Sequence, residues 1–184
     1  MLRIQLGVHE LRNRGEQVRQ LLRPLSKRPG GPAWSTKSGT AEFIVGTHEG
    51  SPPQSSHQDW RFSVFIPNFR AMYFERWLRS QEDHREFWYL NRAYLDIYQI
   101  VGPTQENKFL CLHCDPNEPD GASHVLYKRG PHLHINAASY PISSAHIALN
   151  AGFVAEILSS TDSLTEAMRI AMVMLKEEVL DALR

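Results

Sequence analysis

Residues 111 to 146 of this 184-residue chain hold five of its nine histidines and both of its cysteines. The sharpest element is His132-Leu133-His134-Ile135-Asn136. On a strand, residues i, i+2 and i+4 share a face. The pattern therefore predicts both imidazoles and the Asn136 amide on one side, with Leu133 and Ile135 packing on the other. Paired imidazoles can shuttle protons, attack phosphorus or bind a divalent metal. Asp115 closes the strand expected over Phe109 to His113, where a carboxylate can orient an imidazole or complete a metal shell. His132, His134, Asp115 and His113 form the expected catalytic set, and a divalent metal is the cofactor such a set would take.

Cys111 and Cys114 have metal-ligand spacing, but there is no second Cys-x-x-Cys. If the strand is straight, positions 111 and 114 face opposite sides and cannot share an ion. Two free thiols are the expectation. Cys111 and His113 should share a face with Phe109, which leaves a Cys–His nucleophile pair as an alternative. His146 is expected to be a partly buried structural histidine. Lys128-Arg129, at the tip of a hairpin expected over His124 to Ala137, could hold a phosphate.

The string at 132–136 resembles the His-apolar-His-apolar-His strand of the histidine-triad nucleotide hydrolases and transferases. Asn136 stands where that motif has its third histidine, and the likeness covers residues 132–136 alone. The resemblance implies that His134 matches the nucleophile.

The elements that must position these residues follow from periodicity. Val8, Leu11, Val18, Leu21 and Leu22 recur at helical spacing, and the helix is stopped by Pro24 and by Pro29-Gly30-Gly31-Pro32. Residues 24 to 59 are rich in proline, glycine and serine and read as an arm, with a short strand over Ala41 to Val45. Trp60 to Ile66 alternates as a strand. Phe69, Tyr73 and Trp77, at i, i+4 and i+8, predict a middle helix from Phe69 to about Glu82. Tyr94 to Ile100 returns to period two, with Leu95 and Ile97 facing one way and Tyr94, Asp96 and Tyr98 the other. Ser163-Leu164-Thr165-Glu166 reads as a capping box opening a long C-terminal helix. The order predicts an α+β fold: a mainly antiparallel sheet with an N-terminal, a middle and a long C-terminal helix. The organisation expected is 1–59, helix and arm, followed by 60–184, the body.

Composition narrows the function. The 20 Lys+Arg balance 20 Asp+Glu, which excludes a nucleic-acid binder acting through bulk charge but leaves a local basic patch open. Arg61, Arg70, Arg76, Arg79, Arg85 and Arg92 fall on separate elements, and sequence draws no stripe through them. No apolar run is long enough to span a membrane, and a reduced, cytoplasmic protein is expected. Walker, dinucleotide-binding, zincin and nucleophile-elbow motifs are absent from the sequence. Two readings follow. One is a small cytoplasmic, metal- or histidine-dependent hydrolase acting on phosphate esters or nucleic acid. The other is a non-catalytic adaptor that binds a partner protein through the arm 24–59 or an aromatic surface.

Overall fold

The computed structural model describes residues 4–36, 42–50, 57–117, 128–135, 145–149 and 154–183. Its centre is an antiparallel sheet of nine strands. They are β1 (Gln5–Leu6), β2 (Gly31–Thr36), β3 (Glu42–His48), β4 (Phe62–Ser63), β5 (Phe69–Glu82), β6 (Arg85–Gly102), β7 (Gln105–Cys114), β8 (His132–Ile135) and β9 (Ala145–Ala148). The order is β2-β3-β5-β6-β7-β8-β9, with β1 paired to β6 and β4 to β5. Three α-helices are described: α1 (Val8–Leu21), the short α2 (Val154–Ile157) and α3 (Thr161–Leu175). The last continues as a π-turn to Leu180 and a 3-10 turn to Leu183. The fold class is therefore α+β. No described helix is long and apolar enough to cross a membrane.

One face of the sheet carries the main core. Leu11 and Val18 from α1, Leu22 at its C-cap, and Leu164, Met168 and Met172 from α3 bury against Tyr73, Trp77, Leu95 and Leu112. Arg14 ties these layers together. Its guanidinium donates to both carboxylate oxygens of Glu75 on β5 at 2.7–3.2 Å and to Thr165 Oγ1 at 2.7 Å. Glu75 also accepts from Tyr73 Oη at 2.8 Å and Trp77 Nε1 at 3.0 Å. Burial works against the charge on Arg14, and the adjoining Glu75 overrides it, raising the guanidinium pKa further. A buried ion pair is tolerated when its remaining donors and acceptors are satisfied in this way.

The segment expected as a middle helix, Phe69–Glu82, is strand β5. Spacing of four is even, so Phe69, Tyr73 and Trp77 share a face on a strand as well as on a helix. Ala71 and Glu75 fill the same buried face between them, a period of two that a helix would not give. The strand turns into β6 through Asp83 and His84, both at positive φ (47° and 62°), the backbone that a tight two-residue hairpin requires. The expected strand over Trp60 to Ile66 shrinks to Phe62–Ser63. The region read as an arm is partly sheet, since β3 pairs along β5 and β2 along β3. Its serine-rich tip, 51–56, lies outside the described residues. The C-terminal helix starts three residues earlier than the capping box suggests: Ser160 is the N-cap and accepts from Ser163 N at 3.0 Å.

The opposite face carries a smaller cluster of Ile44, Trp60, Met72 and Phe74, with Tyr94 and Tyr98 packed on it. Gly46 matters here, because a Cβ would lie 2.6 Å from the Trp60 ring. This second face is where the histidines lie.

Candidate metal centre

Strand register brings the site together. His113 on β7 sits opposite His132 on β8, and Cys111 opposite His134. Across β6, Tyr94 faces His113 and Asp96 faces Cys111. Paired residues share a face, so the two β8 histidines meet His113, Tyr94 and Asp96 on one side of the sheet. Leu133 packs against the main core on the other, as the alternation predicts. The Ile135 side chain and Asn136 lie outside what is described. His124 and the first arm of the expected hairpin are also outside it; the described partners of β8 are β7 and β9. His146 occupies the β9 position opposite His134.

One ring nitrogen from each of His113, His132 and His134 can be chosen so that all three lie within 4.8 Å of one another. His132 Nε2 and His134 Nε2 are 3.2 Å apart. His132 is wholly buried, and its Nδ1 lies 2.9 Å from the Gly130 carbonyl oxygen. That contact makes Nδ1 the protonated nitrogen and directs the Nε2 lone pair into the cluster. His113 stacks on Tyr94, with ring centroids 3.7 Å apart and planes 13° from parallel. Its Nε2 is 3.4 Å from Asp96 Oδ1. A carbonyl or carboxylate on the far nitrogen is the usual outer partner of a metal-binding imidazole.

Asp115 directly follows β7 and lies beside the cluster. Its Oδ1 accepts from Tyr94 Oη at 3.0 Å, and its Oδ2 is 3.9 Å from His132 Nε2. Its side chain is 14% exposed, so solvent reaches it. The backbone of 128–130 closes the end of β7: Lys128 O accepts from Asp115 N at 2.8 Å, and Arg129 O accepts from Cys114 Sγ at 3.1 Å.

Asp96 was visible in the alternation of β6 but not as a member of the site. Burial alone would raise its pKa. Hydrogen bonds from His113, Lys108 and Cys111 outweigh that, holding the carboxyl well below the usual range. Burial, and then Asp96, push the Cys111 thiol up to about 12. A thiol held protonated at neutral pH is a poor nucleophile, which counts against the Cys–His alternative. Cys114 belongs to the main core, so the cysteines face opposite sides as the strand geometry predicts. Phe109 does not join Cys111 and His113. A bulge between Ile97 and Tyr98 leaves it unpaired, and it packs with Phe69 against the main core.

No family model, curated protein or solved structure matches this chain. The five-residue likeness to the histidine-triad strand therefore gains no further support, and the site is read from its geometry.

Proposed function

We propose that the protein is a small cytoplasmic hydrolase of phosphate esters, in which His113, His132 and His134 hold a divalent metal ion. The observation that carries the reading is the 3.2 Å separation of the His132 and His134 Nε2 atoms, with the third imidazole beside them. Three imidazoles leave a coordination position open, as in catalytic rather than structural zinc sites. A divalent ion held there would supply a water of lowered pKa and the positive charge that a phosphoryl group requires. Asp115, with Oδ2 3.9 Å from His132 Nε2, would take the proton from the attacking water. Attack of the water oxygen on phosphorus would displace the ester oxygen, with the leaving group protonated by solvent.

The adaptor reading has less behind it. Of the arm at 24–59, residues 31–36 and 42–48 are paired sheet strands, which removes much of the flexible contact it relied on. The test of the hydrolase reading is release of p-nitrophenol from its phosphate mono- and diesters by metal-reconstituted protein. Turnover that chelation abolishes and zinc or manganese restores supports it. Equal inactivity of the metal-loaded and metal-free forms on both esters overturns it.

A further inference from the structure

We infer that the face of the sheet beside the proposed metal centre is a track for single-stranded nucleic acid. The inference rests on the phosphoester reading for what a bound strand would be used for, but binding is measurable without it.

Four of the six arginines that the sequence scatters over separate elements converge here. Two adjoining cavities of about 580 and 420 Å³ share Asp59 and Tyr98 as lining residues. The first holds Arg76, Arg92 and Lys108, the second Arg61 and Arg70. Among the described lining residues, three carboxylates stand against these five cations, Asp59, Asp96 and Glu106. Two of the three are engaged, Asp96 by Lys108 at 2.8 Å and Glu106 by Arg61 at 2.9 Å. The face is thus locally basic in a chain of zero net charge.

Register adds an independent sign. Arg76 on β5 lies directly opposite Arg92 on β6. Paired positions share a face of the sheet, so both guanidinium groups belong to the side that Tyr94 and Tyr98 occupy. Aromatic rings lie between the cations. Tyr98, partly exposed, borders both cavities, and Tyr94, one face of which is taken by His113, borders the first. The Arg61 guanidinium lies 4.0 Å from the Tyr98 ring centre, and that of Arg92 lies 5.4 Å from Tyr94. Cations that follow a backbone and rings on which bases can stack are the two components of single-strand recognition. A duplex offers no free base faces, so the rings favour a single strand. Tyr94 also stacks on His113, which leads the track directly to the proposed metal centre.

The experiment is fluorescence anisotropy with a labelled ten-nucleotide oligouridylate, in metal-free protein over a series of salt concentrations. The wild type should bind, with affinity falling as salt rises. Arg92→Gln and Arg70→Gln should each weaken binding several-fold, and each should flatten the log–log salt slope by about 0.7 for one lost phosphate contact. Arg92→Gln should leave the far-ultraviolet dichroism spectrum unchanged, since Arg92 is only partly buried. Arg169→Gln, which removes an exposed cation of α3 paired with Glu166, should leave binding intact. Absence of binding, slopes unchanged in both arginine variants, or equal affinity for a duplex of the same length would each overturn the inference. Binding that responds as described, without phosphoester turnover, would uphold the track while removing the hydrolase reading.

Discussion

His132 Nε2 and His134 Nε2 lie 3.2 Å apart on one face of β8. Zinc binds imidazole nitrogen at about 2.0–2.1 Å, so two ligands on a tetrahedral ion are separated by about 3.3–3.4 Å. The two nitrogens therefore already stand close to a tetrahedral edge. The Gly130 carbonyl fixes the His132 ring through Nδ1, and the Asp96 carboxylate lies 3.4 Å from His113 Nε2. Site geometry of this kind reduces the reorganisation that binding requires.

On the proposed reading, a change at Asp115 separates metal binding from chemistry. Asp115→Asn keeps an acceptor for the Tyr94 hydroxyl but cannot take a proton. Phosphodiester hydrolysis should fall by about 10²–10⁴-fold, the range for a general base, while the bound metal stays at the wild-type level. Undiminished turnover in this variant would remove Asp115 from the mechanism.

Arg14 and Glu75 are predicted to dominate stability outside the site. Arg14→Met leaves the Glu75 carboxylate buried without its cation, at a cost of about 3–5 kcal/mol. Urea denaturation measures it. Replacing both residues with apolar side chains of similar volume should recover much of that loss, because the uncompensated charge disappears. A single-variant cost below about 1 kcal/mol would show that the pair is not a structural tie.

Alkaline titration tests the tyrosines. Burial, and then Asp96, push the Tyr98 pKa up to about 12, and burial followed by Glu75 holds Tyr73 well above its usual value. Both folded-state pKa values lie above the unfolded value of about 10. The stabilisation from the neutral phenols is thus fully present below about pH 10 and declines as pH rises through the folded-state values. The 295 nm phenolate signal of the native protein should lag that of the unfolded chain between pH 10 and 12. Superimposable titration curves would contradict the burial of both rings.

Much of the site was legible in the sequence because it depends on strand alternation. His132 and His134 needed only a two-residue period, and Asp115 and His113 followed from a neighbouring strand. The opposite orientations of Cys111 and Cys114 came from the same rule. Asp96 and Tyr94 alternated correctly, yet their link to the histidines depends on β7 lying between β6 and β8, a nonlocal order that no local pattern encodes. The arginine track was hidden for the same reason. The error at 69–82 was one of period: a spacing of four serves helix and strand alike, and the arbitrating residues, Ala71 and Glu75, are weakly hydrophobic or charged. Glu75 is buried only because Arg14, 61 residues away in sequence, neutralises it.

The central claim is tested most directly by metal content. Protein purified without chelator and dialysed against zinc should carry one tightly held ion per chain by plasma emission spectrometry. His113→Ala, His132→Ala and His134→Ala should each lose most of it. His134→Ala should do so with an unchanged far-ultraviolet dichroism spectrum, since His134 is only partly buried and the Leu133 core face is untouched. Stoichiometric zinc that disappears with any one of the three imidazoles is the predicted result. A wild-type chain that holds no zinc, manganese or other divalent ion after reconstitution would contradict the account. So would folded variants that retain the full complement.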